Sequence, residues 1–205
     1  MFTLVKAYKG EYSEKGSLFS AYALPLQSLL EVKKKIGNFK KTYSDVNHIC
    51  YAYRLETNSG FDEFSTDAGE PNGCAGIPIL NVLKRHELVN VSLFVLRFFG
   101  GSKLGIPGLI HAYTNVAEQL ISNAKVITWV KRASLSLFFE YNFQRRVEAV
   151  LKQFKVIIIS CIYKDLIQVR LEVDMEKCDV LNNKLSEITN GTIRVERISK
   201  SSDIP

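Results

Sequence analysis

Two clusters of glycine, separated by a strongly apolar run, constrain this chain more than any other feature. The first lies in residues 67–76 (Asp-Ala-Gly-Glu-Pro-Asn-Gly-Cys-Ala-Gly) and the second in residues 100–108 (Gly-Gly-Ser-Lys-Leu-Gly-Ile-Pro-Gly). Each precedes an apolar segment with helical spacing, and between them residues 90–99 are typical of a buried strand. Glycine permits positive φ and close backbone approach, and amides at a helix start favour anions. The sequence therefore predicts two loops that flank one central strand and share a surface.

Further motifs extend this pattern in a fixed order along the chain. They are Lys15-Gly16-Ser17-Leu18-Phe19, the segment from His48 to Arg54, Gly69-Glu70-Pro71, Gly73-Cys74-Ala75-Gly76, Arg97 to Gly105, and Gly108-Leu109-Ile110-His111-Ala112-Tyr113. In these motifs the chain resembles the YigZ/IMPACT family. The resemblance implies a first domain similar to the second domain of a small-subunit ribosomal protein, and a last domain similar to the last domain of elongation factor G.

The chain departs from the family pattern at several of these positions. Ala68 stands where the family usually has a second Asp, Cys74 where it has Thr, Pro107 where it has Gly and His111 where it has Arg. Leu18 lies where a basic residue is usual. These changes reduce the polar and cationic character of the loop surface.

Periodicity divides the first part of the chain into alternating elements. Strands are predicted over residues 2–8, 16–23, 48–55 and 90–99. A helix is expected to begin at Pro25 and to end at Gly37, and further helices follow Gly76 and Pro107. Polar composition predicts a turn over residues 10–15 and an exposed loop over residues 56–66.

The pattern changes near Trp129, which predicts two domains, residues 1–128 and 131–205. In the second, apolar periods of two and of 3.6 residues alternate in the order βαββαβ, the order of a ferredoxin-like fold. The fold class expected for the whole chain is α+β.

The overall composition is that of a soluble globular protein, with 46% hydrophobic and 23% charged residues. Its apolar runs are shorter than the ~20 residues of a membrane span, and its start lacks the features of a signal peptide. We therefore expect a cytoplasmic protein without membrane contact. The four cysteines lack metal-ligand spacing and are expected to be reduced thiols, so neither a metal nor a cofactor is predicted.

Arg97 and Lys103 are the main candidates for contact with an anion. Arg97 ends the central strand and could bind a ligand or form a salt bridge with Glu70 or Asp67, because arginine suits bidentate pairing. Lys103 lies in a glycine-rich turn, where packing is poor and exposure is expected. The predicted anion- or nucleic-acid-binding set is Arg54, Arg97, Gly100, Gly101, Lys103 and Gly105. The predicted loop-ordering set is Asp67, Gly69, Glu70, Gly73 and Gly76.

Three functions remain open on the sequence. The family resemblance implies a translation-linked protein that binds RNA or the ribosome, or alternatively a regulatory module that binds a protein partner. The glycine loops, together with the superfold that the resemblance implies for the first domain and that small-molecule kinases share, also allow an enzyme acting on a phosphorylated small molecule. No catalytic residue can be assigned, since Glu70 has no paired base and the phosphate-loop motif is absent.

The net charge of +6 fits nucleic-acid contact or solubility alone. Lys40 and Lys41 could extend a nucleic-acid footprint or merely form a solvated helix end.

Overall fold

The computed structural model describes residues 1–57 and 60–198. The chain divides into two compact units, Met1–Trp129 and a second unit that begins at Val130. Each contains both helices and sheet, as the predicted α+β class requires.

The first unit is built around a five-stranded antiparallel sheet with three helices. Its strands are β1 (Phe2–Leu4), β2 (Tyr8–Glu14), β3 (Ser17–Pro25), β4 (His48–Thr57), β5 (Gly60–Thr66), β6 (Val91–Phe98) and β7 (Val126–Thr128). Its helices are α1 (Leu29–Thr42), α2 (Gly76–Arg85) and α3 (Gly105–Ser122). The large sheet has the order β2-β3-β6-β4-β5, and β1 pairs with β7 separately.

Alternating side chains of the large sheet build two cores, one on each face. On β6, Leu93 and Val95 pack with α2 and α3, whereas Phe94 and Leu96 pack with α1. Successive side chains of a strand point to opposite faces, so α1 covers one face while α2 and α3 cover the other. β6 is buried on both faces up to Arg97, which explains its nearly continuous apolar sequence.

The beginning of the chain differs from the sequence prediction in three places. The expected strand over residues 2–8 is two strands, and most of the expected turn over residues 10–15 belongs to β2. Pro25 ends β3 instead of opening a helix, because Leu26 still donates its N–H to the carbonyl of Asn90 at the end of the sheet. Gly37 does not end α1, since the buried Phe39, two residues later, keeps the helix packed against the sheet.

The predicted loop over residues 56–66 is wrong, because β4 continues to Thr57 and β5 begins at Gly60; residues 58 and 59 lie outside the described residues. β5 pairs with β4 from Gly60 to Thr66. It is an outer strand whose Glu63 is paired with Arg54 and Lys84. Charged residues are common on such strands, and their polarity hid the strand in the sequence.

The second unit confirms the predicted βαββαβ order. Its elements are β8 (Arg132–Phe139), α4 (Gln144–Gln153), β9 (Ile157–Tyr163), β10 (Ile167–Asp174), α5 (Cys178–Ile188) and β11 (Arg194–Ile198). The sheet has the order β11-β8-β10-β9 with antiparallel pairs throughout, which is the strand order of a ferredoxin-like fold. Leu137 and Leu171 are fully buried in the core beneath Val147 and Leu181 of the two helices.

Candidate functional site

One end of the large sheet gathers both glycine loops. The register places Phe98 opposite Leu18 on β3 and Arg97 opposite His48 on β4. Thr66, the last residue of β5, lies opposite Tyr51. The loop from β5 to α2, the loop from β6 to α3 and the turn between β2 and β3 therefore share this end. The sequence prediction of two loops around one central strand agrees with this arrangement.

The turn between β2 and β3 touches the second glycine loop backbone to backbone. Lys15 and Gly16 both have positive φ (46° and 82°) and form a two-residue hairpin turn. A Cβ atom on Gly100 would lie 1.9 Å from the carbonyl carbon of Gly16, so only glycine fits there. The N–H of Gly100 also donates to Oγ of Ser17 at 3.2 Å. These contacts hold Lys15 beside the second loop.

Asp67 organises the first glycine loop. Its carboxylate accepts three backbone N–H groups, from Gly73 at 2.9 Å, Ala75 at 2.9 Å and Gly76 at 2.8 Å. Burial by itself would raise the pKa of Asp67, but hydrogen bonds from Gly73, Gly76 and Ala75 together hold that pKa below its usual value. The side chain thereby occupies the N-terminus of α2, where an external anion would otherwise be favoured.

Three glycines give this loop and the next their shape. Gly69, Gly73 and Gly105 have φ of 90°, 76° and 70°, values at which residues with a Cβ are strained. Gly76 is different, because a Cβ there would lie 2.7 Å from the backbone of Thr66. Ala68 also adopts positive φ, 46°, so the departure from the family pattern at this position carries local strain.

Glu70 and Arg97 form a buried ion pair beneath the loops. Nη1 of Arg97 donates to both carboxylate oxygens of Glu70, at 2.7 and 2.9 Å. The hydroxyl of Tyr113 on α3 donates to Oε1 of Glu70 at 2.8 Å. The Arg97 side chain is 7% exposed and that of Glu70 is 3% exposed. Of the alternatives for Arg97, the structure shows the salt bridge to Glu70, and contact with an anion stays a prediction.

Arg97 is further enclosed by aromatic rings. Its guanidinium carbon lies 5.6 Å from the centre of the Phe19 ring and 5.7 Å from that of Phe99, within the range of cation–π attraction. Its Nε atom is buried and lacks a hydrogen-bond partner among the described residues. Loss of either charge would leave the other buried and unpaired, which typically costs ~3–5 kcal/mol.

Cys50 and His48 complete the contacts between β4 and the first loop. The thiol of Cys50 donates to the carbonyl of Asp67 at 3.0 Å, and its sulfur lies 3.3 Å from the Tyr113 hydroxyl. Burial raises the pKa of Cys50 to about 12, so at neutral pH it is a thiol and a poor nucleophile. Nδ1 of His48 lies 3.0 Å from the carbonyl oxygen of Ala68, which positions it to donate. Both residues hold the loop in place.

The cations that reach solvent at this end are lysines. Lys103 and Lys15 are exposed, and Lys40 and Lys41 are exposed in the last turn of α1, a short connection away from the start of β4. Leu104, the N-cap residue of α3, offers no side-chain cap to that helix. Ala75, the N-cap residue of α2, offers none either, but there Asp67 accepts the N–H groups of Ala75 and Gly76. Within Gly100–Gly105 every residue except Leu104 is exposed.

Arg54 does not belong to this surface, contrary to its inclusion in the predicted binding set. It lies opposite Val91, six residues along β4 from His48 and so about 20 Å away. Its guanidinium is bound to Glu63 and to the carbonyl of Leu88, both at 2.8 Å. The sequence did not show that Arg54 is paired with Glu63, because the strand β5, which places Glu63 opposite Arg54, was predicted as a loop.

Several contacts at the site were not assigned a role from the sequence. Asn47 accepts the N–H of Phe99 at 2.7 Å through its side-chain oxygen, and Ser17, Cys50 and Tyr113 make the bonds described above. Ser17, Cys50 and Tyr113 could have been suspected from the sequence, because each lies within one of the ordered motifs. These motifs are Lys15–Phe19, His48–Arg54 and Gly108–Tyr113. The described residues contain no group of three or more His, Cys, Asp or Glu that could hold a metal ion.

Comparison with known proteins assigns both units. Residues 15–121 match the model of the Impact N-terminal domain, and residues 137–192 match a domain of unknown function (DUF1949). A solved structure described as a hypothetical protein superposes with a TM-score of 0.70 at 22% identity over 98% of both chains, which shows a common fold. Within residues 1–57 and 60–198, no helix has the length and apolar character needed to span a bilayer.

Relatives of similar length carry the same family name. The chain is 27% identical to the IMPACT family member YvyE of Bacillus subtilis, over 93% of this chain and 87% of that protein. It is 25% identical to the IMPACT family member YigZ of Escherichia coli, over 82% of this chain and 83% of that protein. Because the Impact N-terminal domain covers more than half of its residues, the chain belongs to the IMPACT family.

Proposed function

We propose that this chain is a translation-associated regulator that binds RNA or the ribosome through the exposed lysines around its second glycine loop. The observation that carries the proposal is the division of charges at this end of the sheet. Asp67 and Glu70 are engaged internally, whereas Lys15 and Lys103 face solvent. The surface therefore offers positive charge, while its two loop carboxylates are bound internally, Asp67 by backbone amides and Glu70 by Arg97 and Tyr113.

The chemistry of the buried groups supports binding over catalysis. Glu70 is enclosed by Arg97 and Tyr113 and has no paired base, and Cys50 is protonated at neutral pH. The exposed groups of the loops are lysine amines and backbone amides, which suit phosphate oxygens. The link to translation is inferred from membership of the IMPACT family, and from the resemblance of the two domains to parts of a ribosomal protein and of elongation factor G.

Binding of this kind is expected to be weak, tolerant of sequence and dominated by phosphate contacts. Labelled single-stranded RNA titrated at several salt concentrations should show an affinity that falls with a slope of about −0.7 per phosphate contact. Lys103→Ala should reduce that slope by roughly one contact and leave the melting temperature unchanged. Arg97→Ala should weaken binding and also destabilise the fold, because it breaks the buried pair with Glu70.

Lys6→Ala is the matched control for the loss of one charge. Lys6 is exposed just before β2, whose first residue pairs with Ala23 near the opposite end of the sheet. Its removal should leave the salt slope unchanged. If the wild type fails to bind RNA even at low salt, the nucleic-acid function is wrong, and a protein partner becomes the better hypothesis for this surface.

A further inference from the structure

The helix α1 leaves part of its face of the large sheet uncovered. It lies above β3 and β6, because the ring of Phe39 packs at 4.8 Å on Tyr22 of β3 and at 5.4 Å on Phe94 of β6. Toward β4 and the outer strand β5 the same face continues with three more rings, those of Tyr51, Tyr53 and Phe64. We call these three rings the aromatic shelf.

Phe64 is the accessible member of the aromatic shelf. It is 43% exposed, yet its ring centre lies 5.8 Å from that of Tyr51 and 5.7 Å from that of Tyr53. The rings of Phe64 and Tyr53 are nearly parallel, at 22°. Tyr51 is in turn packed on the buried Phe94, at 5.4 Å. A ring that is held in place and still open to solvent can bind a second flat ring at a small cost in side-chain entropy.

α1, which borders the aromatic shelf, is strongly basic. It carries five lysines and a single glutamate, Glu31. Lys33 and Lys40, seven residues apart, lie on one flank of the helix, and both are exposed. Lys35 is on the other flank, with its Nζ atom 5.3 Å from the centre of the Phe39 ring. A β3–α1–β4 connection of the usual right hand directs the flank of Lys33 and Lys40 toward β4 and β5.

We propose that the aromatic shelf stacks bases of single-stranded RNA while Lys33 and Lys40 bind its phosphates. This inference rests on the proposed function and adds to it the surface that holds the bases. The exposed rings by themselves would suit any apolar partner, but the lysines of α1 favour a polyanion. Proteins that bind single strands combine a cationic track with aromatic rings on which successive bases stack, largely without regard to sequence.

The aromatic shelf lies within reach of the lysines around the second glycine loop. Tyr51 is three residues along β4 from His48, and so about 10 Å from the end of the sheet that gathers the loops. Lys40 belongs to the last turn of α1, which leads into β4 at that same end. One strand of RNA can therefore contact the shelf, α1 and the loop surface in succession.

Asp62 is the residue that opposes this arrangement, because its carboxylate is on the same face of β5. It lies opposite Leu55, whereas Phe64 lies opposite Tyr53, so Asp62 is the further of the two from the glycine loops. The Tyr53 hydroxyl also donates to Oδ2 of Asp62 at 3.4 Å. We therefore expect the RNA to run from Phe64 toward the loops and away from Asp62.

An oligomer without bases separates stacking from phosphate contact. A labelled oligouridylate of about ten nucleotides and an abasic ribose-phosphate oligomer of the same length carry the same charge. At one low salt concentration the full-length chain should bind the oligouridylate about fivefold or more tightly than the abasic oligomer. Equal affinity for the two would leave the RNA-binding function standing and overturn the aromatic shelf. Failure to bind either oligomer would overturn both.

Phe64→Leu tests the ring directly, since leucine keeps the position apolar. The variant should bind the oligouridylate about fivefold or more weakly than the wild type, with its affinity for the abasic oligomer and its salt slope unchanged. Phe61→Leu is the matched control. Phe61 is on the same strand and equally exposed, at 43%, but its ring is on the other face, where the Arg54 guanidinium lies 5.3 Å from its centre. It should bind like the wild type. Equal effects of the two substitutions, or none from Phe64→Leu, would overturn the proposal.

Fluorescence gives a second measurement that does not depend on a loss of binding. Trp129 is the single tryptophan of the chain, so Phe64→Trp combined with Trp129→Phe places one indole on the aromatic shelf. Stacking of a base should quench its emission when the oligouridylate is added, whereas the abasic oligomer should not. Emission that stays constant while the oligouridylate binds would show that the bases lie elsewhere, and the proposal would be wrong.

Lys40→Ala tests the phosphate contacts of α1. It should reduce the salt slope by roughly one contact for both oligomers and leave the preference for bases unchanged. An unchanged slope would show that the phosphates do not follow α1, which would overturn the role proposed for this helix.

Discussion

Asp67 shows how a single side chain can replace an external ligand. The N-terminus of α2 would attract an anion, but the Asp67 carboxylate already binds three of its amides. In many glycine-rich loops such amides bind phosphate. Here the amides at the start of α2 are already bound within the protein, whereas Lys103 of the second loop is exposed.

The lowered pKa of Asp67 predicts how its contribution to stability depends on pH. Asp67→Asn should lower the free energy of unfolding at pH 7 by about 1–3 kcal/mol, because hydrogen bonds to a charged acceptor are lost and the amide NH₂ then faces backbone donors. A carboxyl whose pKa is lowered on folding stabilises the fold above its unfolded pKa of about 3.9, and loses that contribution as pH falls through the folded value.

The measurement is urea denaturation of both proteins from pH 7 down to pH 3. The difference between wild type and Asp67→Asn should be constant above about pH 5 and shrink below pH 4. Asp45→Asn, at an exposed aspartate, controls for the loss of a charge and should follow the wild type. A difference that does not depend on pH would mean that the charge of Asp67 contributes nothing.

At the residue scale, the sequence predicted which side chains order the loops better than it predicted which of them bind each other. It placed Asp67, Glu70 and Arg97 among the residues of the loops, but it could not choose between Asp67 and Glu70 as the partner of Arg97. That choice depends on backbone amides 6 to 9 residues downstream of Asp67, which occupy its carboxylate and leave Glu70 for the arginine. Hydrogen-bond competition of this kind is not encoded in spacing.

Glycines of different elements should respond differently to the same substitution. Gly100→Ala should destabilise the protein by about 2–4 kcal/mol, because the new Cβ would overlap the backbone of the β2–β3 turn. Gly101→Ala meets open space but has φ of 87°, and it should cost about 1–2 kcal/mol. Gly37→Ala, inside α1 and without close neighbours, should stabilise by about 0.5–1 kcal/mol.

Thermal or denaturant unfolding of the three variants tests this order directly. The sign of the Gly37→Ala effect is the internal control, since the same added methyl group stabilises in a helix and destabilises in a loop. If Gly100→Ala is no more harmful than Gly101→Ala, the backbone contact between Gly16 and Gly100 does not form in solution.

Elements were predictable wherever one face is apolar and the other polar. The helices after Gly76 and Pro107 and most elements of the second unit follow their periodicity, because a single core selects the apolar positions. β9 is the exception, since it is a continuous apolar run in which every residue except Ser160 is exposed. β2 and β5 were missed or shortened since they are outer strands rich in charge. The helix start expected at Pro25 and the helix end expected at Gly37 were both wrong, because tertiary contacts there outweigh the local preferences of proline and glycine.

At the scale of the whole molecule, each unit has a core of its own. The first contains two apolar clusters, one on each face of its sheet, and the second contains a single cluster beneath α4 and α5. The change of pattern near Trp129 was visible in the sequence, because the periodicity restarts there and the family resemblance implies two types of domain. The pairing of β1 with β7 was not predicted, since two three-residue strands carry too little pattern.

Separate cores predict that residues 1–128 and 131–205 fold independently when expressed apart. A domain of about 130 residues buries enough surface to be stable by itself, whereas one of about 75 residues is closer to the lower limit. We therefore expect both fragments to unfold cooperatively by circular dichroism, with the shorter melting at the lower temperature. A first fragment that ends at Val116 is the control, because it removes Leu120 and Ile121 from the core and should not show a sharp transition. If the fragment 1–128 or the fragment 131–205 lacks a cooperative transition while the whole chain melts sharply, the two cores depend on each other. The boundary near Trp129 would then not separate folding units.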